Sequence, residues 1–124
     1  MQDEPAPPEI LSAVATFLRD AVVPQATPLV AFQARVAANA VDLVVRQLTL
    51  APASDTDERD GLRALIGRDG SLGELNAALA DGLAAGLIAA PEAMAHLRTT
   101  TLAKLAVDQP GYSGYRTALA EKDR

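Results

Sequence analysis

Hydrophobic residues near the N-terminus recur at three- and four-residue steps, which is the periodicity of a helix with one apolar face. Pro7-Pro8-Glu9 suits a first helical turn, because proline is tolerated there and glutamate favours the positive end of the helix dipole. The apolar positions that follow are Ile10, Leu11, Val14, Phe17, Leu18, Ala21 and Val22. They predict a first helix, and Pro24 is expected to end it.

The next segment predicts the longest helix of the chain. Thr27 suits the N-cap of this helix, and Pro28 suits its first position. From Pro28 to Leu48 apolar residues surround most of the helix, so we expect this second helix to be the central one. Polar residues at helical spacing form a narrow polar seam along it, which consists of Arg35, Asn39, Asp42 and Arg46.

Turn and capping signals divide the following region into two shorter helices. Residues 50–53 contain a proline and predict a linker. Ser54 and the acidic residues after it predict the N-terminus of a third helix. Ser71 and Glu74 have the spacing of a capping box, so a fourth helix is expected to begin there and to end near Gly86.

Proline and glycine also delimit the helices near the C-terminus. Pro91 suits the start of a fifth helix, which must break at residues 108–111 because proline and glycine oppose its continuation. A short last helix is expected from about Tyr112 to Glu121. The patterns together predict an all-α fold, a single-domain bundle of five to six helices around the long second helix. This domain covers residues 1–124, with residues 1–7 as a flexible N-terminal arm.

Composition adds an expectation about assembly. Hydrophobic residues make up 49% of the 124 residues, but aromatic residues make up only 3%. The core must therefore consist mainly of leucine, valine and alanine at close helix contacts. Because the second helix is apolar nearly all round, it has more apolar surface than a chain of this size readily covers. The sequence thus predicts a homodimer formed through helix faces.

Charge narrows the classes of partner. The net charge of −5 argues against nucleic-acid binding, because neutralising phosphates requires clustered lysine and arginine. It also disfavours binding to anionic membranes, and the uncharged, mainly apolar stretch of residues 82–90 is too short to cross a bilayer. The acidic, proline-rich start lacks the pattern of a signal peptide. We therefore expect a cytoplasmic protein with no nucleic-acid partner and no membrane partner.

Known catalytic and cofactor motifs are missing from the sequence. The chain has no cysteine, and His96 is its only histidine, so the ligands of a metal site are mostly lacking. The glycines at 67, 70 and 73 lack the spacing and the preceding strand of a dinucleotide-binding motif. Ser113 lacks the full pattern of a nucleophile elbow. We expect no metal, no cofactor and no catalytic residue of these types.

Two groups of polar residues remain as candidates for a function. One is the polar seam of the second helix, and the other is a group near the C-terminus that contains Lys104, Asp108, Gln109, Tyr112, Tyr115 and Arg116. In a structural interpretation, Asp108 pairs with Arg35, because a buried charge is costly unless it is paired. Gln109 then bonds to Asn39. In a functional interpretation, the same residues surround a small anion, with Arg35 as a carboxylate or phosphate clamp and tyrosine hydroxyls as donors.

Two segments, residues 32–40 and 97–115, resemble those of an uncharacterised family of small bacterial proteins, a domain of unknown function. The genes of this family are associated with neighbouring genes for acyl-CoA dehydrogenases and aminoglycoside-phosphotransferase-like kinases. The resemblance implies an accessory role near acyl-CoA or phosphoryl metabolism. The positions that match the family's motifs are Arg35, Asn39, Lys104, Asp108, Gln109, Tyr112 and Tyr115. Gln33 departs from the family pattern, in which a histidine precedes the arginine, and this argues against a histidine-dependent reaction.

Two hypotheses about function follow from these features. The first is a non-catalytic helical accessory or assembly protein that acts through protein contacts, as a homodimer and with a partner enzyme. The alternative is a small-anion or small-molecule binding protein or enzyme that uses Arg35, Asn39, Asp108 and Tyr115. A closed hydrogen-bonded network of these residues favours the first hypothesis, and an open pocket with converging polar groups favours the second.

Overall fold

The computed structural model describes residues 3–124, and helices are the regular elements within that range. In chain order they are α1 (Pro7–Phe17), a π-helical turn (Leu18–Val22), a 3₁₀ turn (Val23–Gln25), α2 (Pro28–Ile66), α3 (Leu72–Ala84), α4 (Ala90–Asp108) and α5 (Ser113–Lys122). The predicted all-α fold, with a long second helix that packs against the others, is confirmed. Residues 1 and 2 of the predicted N-terminal arm lie outside the described residues.

The predicted linker at residues 50–53 is wrong, because α2 runs through it as one helix of 39 residues with Pro52 inside. An interior proline removes one backbone donor and ordinarily costs about 3 kcal/mol. The Ser54 hydroxyl, expected to cap a new helix, instead donates to the carbonyl oxygen of Ala51 at 3.1 Å. The Thr56 hydroxyl likewise donates to the carbonyl oxygen of Pro52 at 2.9 Å. These are the bonds of hydroxyl side chains within a helix, where they serve carbonyls rather than free N–H groups.

The chain divides into two compact units within α2. Unit 1 ends at Leu50 and unit 2 comprises Ala51–Arg124. The first part of α2 therefore belongs to unit 1 and its last part to unit 2. The proposed single domain over residues 1–124 stays a prediction, and the two units are described in turn.

The buried residues of unit 1 are all alanines. Ala15 in α1 is 2% exposed, and the other three, Ala31, Ala34 and Ala38, lie three and four residues apart on one face of α2. Small side chains let helix backbones approach closely, but each buries little apolar area. Both phenylalanines of the chain, Phe17 and Phe32, are about 60% exposed instead. Unit 1 therefore gains little from hydrophobic burial within the chain.

A polar contact ties the turn after α1 to α2. Arg19 donates to Asp42 Oδ2 at 2.6 Å and to Asn39 Oδ1 at 2.8 Å. The Arg19 and Asp42 side chains are 39% and 35% exposed. Asp42 of the polar seam thus has a partner, as expected, but that partner comes from the end of the first helical segment.

Unit 2 has a core of larger side chains. Leu62 at the end of α2, Leu75 and Leu79 in α3, and Ala93 in α4 form a buried cluster. The partly buried residues around this cluster are Leu65, Ile66, Leu72, Leu83 and Ile88. The last part of α2 therefore packs with α3 and the start of α4.

Both ends of α3 follow the predicted capping signals. Glu74 N–H donates to Ser71 Oγ at 3.2 Å, and Ser71 N–H donates to Glu74 Oε2 at 2.9 Å, so the capping box is confirmed. That backbone hydrogen bond from Ser71, together with the Ser71 hydroxyl, lowers the pKa of Glu74. Gly86 follows α3 with φ of 72°, a left-handed conformation that favours glycine and ends the helix as predicted.

The turn between α2 and α3 is organised by Asp69. Its Oδ1 accepts a bond from the Gly70 N–H at 2.8 Å and another from Arg59 at 3.1 Å. Arg63 lies 3.4 Å from the same oxygen. The Gly70 N–H, followed by Arg59, lowers the pKa of Asp69. This carboxylate thereby joins the last turns of α2 to the loop that precedes α3.

A glycine in α2 accommodates the only histidine of the chain. A β-carbon added at Gly61 would lie 2.7 Å from Nδ1 of His96, so the imidazole of α4 packs directly on the α2 backbone. His96 Nε2 is buried and has no hydrogen-bond partner within residues 3–124. The histidine is therefore a packing residue of unit 2 at this position.

We expect Gly61→Ala to destabilise the protein by about 1–3 kcal/mol, because the new methyl group overlaps the His96 ring. In Gly61→Ala/His96→Ala the overlap is removed, and the stability should return to the wild-type value or exceed it. Gly73→Ala is the matched control, since nothing lies within 4 Å of its added β-carbon, and it should stabilise by up to about 1 kcal/mol. Urea unfolding followed by circular dichroism measures all three. Equal losses in the single and double variants would contradict the assignment.

The Arg19–Asp42 pair should show a coupling of about 0.5–1 kcal/mol in a double-mutant cycle of Arg19→Ala and Asp42→Ala. The value is modest because both side chains are more than a third exposed and solvent screens the pair. The coupling should shrink in molar salt. The more exposed Asp60–Arg63 pair, one turn apart in α2, provides the control and should couple less strongly. No coupling between Arg19 and Asp42 at low salt would show that the contact does not hold unit 1 together.

Candidate functional site

The seven candidate residues lie in both units. Arg35 and Asn39 belong to unit 1, and the others, Lys104, Asp108, Gln109, Tyr112 and Tyr115, belong to unit 2. The expected Arg35–Asp108 and Asn39–Gln109 pairs would join residues of different units, and they stay predictions. What each unit does with its own candidates is described below.

In unit 1 the Asn39 side chain accepts the bond from Arg19, next to the Arg19–Asp42 pair. Arg35 lies on the same helix and is exposed. In the seam, Asn39 and Asp42 are thus bonded to Arg19, whereas Arg35 is exposed. The sequence interpretation missed Arg19. The signal that could have indicated it is the presence of a charged residue next to the apolar face of the first helix.

In unit 2 the polar candidates are mostly exposed. Lys104 and Asp108, one turn apart in α4, form an ion pair at 3.8 Å with side chains 78% and 41% exposed. Gln109 follows the last residue of α4, and its N–H donates to the carbonyl oxygen of Leu105 at 2.9 Å. These residues thus make local contacts at a helix end, and an exposed pair of this kind contributes no more than about 1 kcal/mol.

The two tyrosines are held differently. Tyr112 is the N-cap residue of α5, and its ring lies against the Gly114 backbone, where an added β-carbon would be 2.7 Å from a ring carbon. Tyr115 is half-buried. Both line a cavity between α4 and α5. The cluster near the C-terminus is therefore divided, with the tyrosines at a cavity and Lys104, Asp108 and Gln109 outside its lining.

An open cavity of about 570 Å³ lies between α4 and α5. Its walls are mainly apolar, and the polar side chains among them belong to Arg98, Thr101, Tyr112 and Tyr115. Arg98 is the charged residue of this lining, and the lining as described contains neither a carboxylate nor an imidazole. Such a cavity can bind a ligand but supplies no acid–base pair of the usual kinds. The sequence interpretation did not single out Arg98, which lies beside the predicted apolar face of α4.

A second feature is an exposed apolar stripe on the first part of α2. We use the name apolar stripe for Leu29, Phe32, Val36, Ala40, Leu43 and Leu50, which lie on the side of the helix opposite the buried alanines. Leu29 is 67% exposed, Phe32 62% and Val36 51%. This part of α2 is thus apolar on both sides. Its buried residues are alanines, whereas Leu29, Phe32 and Val36 are mainly exposed and Leu43 is half-buried.

Length and composition alone would also allow α2 to cross a membrane. Its most apolar 18-residue window has a mean hydropathy of 1.3 and is 17% buried. The core helix of a soluble protein passes the same criterion, so this is weak evidence for a membrane segment. The predicted absence of a membrane partner, which was based on the net charge, the start of the sequence and the uncharged stretches, stays a prediction and enters the test of function below.

No group of three or more histidine, aspartate or glutamate side chains in residues 3–124 is arranged to hold a metal ion.

Comparison with known proteins places the chain in a family. No curated protein and no solved structure matches it. Residues 24–112, which include all of α2, α3 and α4, match a family described as a domain of unknown function, DUF6285. This match covers well over half of the chain and bears out the expected membership of an uncharacterised family. The chain belongs to the DUF6285 family.

Proposed function

We propose that this protein is a non-catalytic assembly protein that forms a homodimer through the apolar stripe of α2. The observation that carries the proposal is the distribution of side chains in unit 1, where alanines are buried and both phenylalanines are exposed. A monomer would leave this surface in water, at a cost of about 25 cal/mol for each Å² of apolar area.

The exposed apolar surface of α2 in unit 1 is wider than the stripe. Seven large apolar residues of α2 in unit 1 are at least 41% exposed; they are Leu29, Val30, Phe32, Val36, Val44, Leu48 and Leu50. Leu29, Phe32, Val36 and Leu50 of this set lie on the stripe, and Val30, Val44 and Leu48 lie on the neighbouring side of the helix. Each partner of a stable interface buries about 800 Å². The stripe alone falls short of this area, so a dimer would also cover the neighbouring residues.

The spacing of the stripe favours a second copy of the same helix as its occupant. From Leu29 to Leu50 the stripe positions, with Gln47 among them, recur on average every 3.5 residues. This is the repeat with which two helices keep an apolar seam in contact along their length. A homodimer with two-fold symmetry would pair the same patch with itself and close the surface.

The cellular role in this proposal is that of an accessory protein. The dimer presents further exposed apolar residues on α1, namely Ile10, Val14 and Phe17, which lie four and three residues apart. Such a face suits contact with another protein, and we propose a partner enzyme in the cytoplasm as the target. The contacts of two candidate polar residues support a structural role. Asn39 accepts a hydrogen bond from Arg19, and Asp108 forms an ion pair with Lys104.

A second candidate function is small-molecule binding, and one observation favours it. Two of the candidate residues, Tyr112 and Tyr115, line the apolar cavity between α4 and α5. Its volume of about 570 Å³ lies in the range of ligand pockets, about 300–1,000 Å³. This function is compatible with a dimer formed through α2, since the cavity and the stripe involve different helices.

We expect the protein to sediment as a dimer at micromolar concentration, and Phe32→Lys to weaken the dimer by at least about 30-fold. The lysine replaces the aromatic residue of the stripe with a charge that the interface would have to desolvate. Sedimentation equilibrium over a dilution series measures both dissociation constants. Leu87→Lys is the matched control, because Leu87 is an 84% exposed apolar residue in unit 2 and its replacement should leave the dimer intact.

Two outcomes would overturn the proposal. One is a monomer throughout the micromolar range for the wild-type protein. The other is flotation of the wild-type protein with phosphatidylcholine vesicles that is lost in Phe32→Lys, which would show that the stripe contacts lipid. Circular dichroism of each variant establishes that the helices are retained, so that loss of the dimer is not loss of the fold.

A further inference from the structure

We infer that the cavity between α4 and α5 binds a small amphipathic carboxylate, with its apolar part between the helices and its carboxylate on Arg98. This inference does not depend on the proposed dimer, because the cavity lies entirely within unit 2. It concerns a class of ligand, an anion with an aliphatic or aromatic body.

The apolar part of the ligand is indicated by the walls. α4 contributes Met94, Leu97, Leu102 and Leu105, and α5 contributes Ala118. Met94 is 64% exposed and Leu97 is 37% exposed, so the α4 side of the cavity still has apolar surface to cover. α5 itself has no buried residue. A ligand between the two helices would remove apolar surface of both from water.

The charge of the ligand is indicated by Arg98. It is the charged side chain of the described lining, and a guanidinium matches the planar geometry of a carboxylate with two parallel donors. A cationic ligand would be repelled by Arg98, and the nearby carboxylate of Glu121 is already paired with that arginine. An uncharged ligand would gain only the apolar contacts, so the lining selects an anion over both.

Arg98 is available to a ligand because its present partner holds it weakly. The Arg98–Glu121 pair joins α4 to α5 at 3.8 Å, and the two side chains are 61% and 63% exposed. An ion pair of this exposure contributes little to stability, so a carboxylate in the cavity can replace Glu121 at low cost. Glu121 is therefore a competitor for the ligand's site on Arg98.

The tyrosine hydroxyls complete the polar part of the site. The Tyr112 ring lies against Gly114, where an added β-carbon would be 2.7 Å from a ring carbon and 2.9 Å from the hydroxyl oxygen. Tyr115 comes from the first turn of α5 and lines the same cavity. A phenolic hydroxyl can donate a hydrogen bond to a carboxylate, so both can act with Arg98.

The test uses octanoate as the probe and the Met94 methyl group as the reporter. The chain has two methionines, Met1 and Met94, so methyl-labelled methionine gives one signal from the cavity and one internal control. Octanoate should shift the Met94 signal saturably and leave the Met1 signal in place. Octanol and octylamine, which have the same chain without the negative charge, should bind more weakly.

Two substitutions on the full-length protein separate the charge contribution from the apolar one. Arg98→Gln should weaken octanoate binding by about tenfold or more, since a hydrogen bond to a charged group is lost, and should leave octanol binding unchanged. Glu121→Gln should strengthen octanoate binding severalfold, because it removes the competitor for Arg98. A structural role of the Arg98–Glu121 pair alone would not produce these opposite effects.

The inference is overturned if octanoate leaves the Met94 signal unchanged up to millimolar concentration, or if octylamine binds as tightly as octanoate. It is also overturned if Arg98→Gln binds octanoate like the wild-type protein. Ala118→Phe, which fills the cavity from the α5 side, should abolish the Met94 shift while the helical circular dichroism is retained. Sedimentation of these variants as dimers would show that the stripe of α2 acts independently of this site.

Discussion

Small side chains at the helix contacts of unit 1 constrain where all its larger apolar residues lie. Ala31, Ala34 and Ala38 take the buried face of α2, and Ala15 takes that of α1. α2 is apolar on both faces, and the short helical segments of unit 1 cover only one of them. The face with Leu29, Phe32 and Val36 is therefore left exposed. The polar contacts of Arg19 fix this arrangement by joining the end of the first segment to Asn39 and Asp42.

Unit 2, in contrast to unit 1, buries large apolar side chains. Leu62 and Leu75 are fully buried there, and three helices contribute to one cluster. Its remaining apolar surface lies on α4, where α5 covers it only in part and leaves a cavity lined by Arg98 and two tyrosines. One chain thus contains two kinds of incompletely covered surface. The stripe of α2 has the repeat of a helix–helix interface, whereas the cavity has the volume and mixed polarity of a ligand site.

Most of the fold was predictable from the sequence because local signals determine it. The proline at the start of α1, the capping box at Ser71 and the glycine at 86 mark helix ends through backbone chemistry that depends on neighbours only. The wrong prediction of a linker at residues 50–53 also came from relying on a local signal. A proline at an interior position breaks most helices. Pro52 is tolerated here because the helix continues on both sides of it, and a rule based on neighbouring residues alone does not predict that continuation.

The candidate sites were predictable only in part, because their partners come from distant positions in the chain. The seam on α2 was recognisable, but Arg19, which engages it, is 20 residues from Asn39. The cavity was not recognisable, since Arg98 becomes notable only when α5 lies beside α4. The dominant signal for function, the exposure of Phe17 and Phe32, is invisible in a sequence, where aromatic residues at helical spacing are typical of a core.

Cysteine cross-linking along α2 tests most directly whether the apolar stripe of one copy contacts that of another. The chain has no cysteine, so single substitutions at Phe32, Val36, Ala40 and Leu43 each introduce one thiol on the stripe. Thr49→Cys provides a control on the same helix, at an exposed position on the opposite side. A homodimer through the stripe predicts a disulfide-linked dimer under mild oxidation at one or more stripe positions and not at Thr49. Equal cross-linking at Thr49 and at the stripe positions, or none at any stripe position, would contradict it.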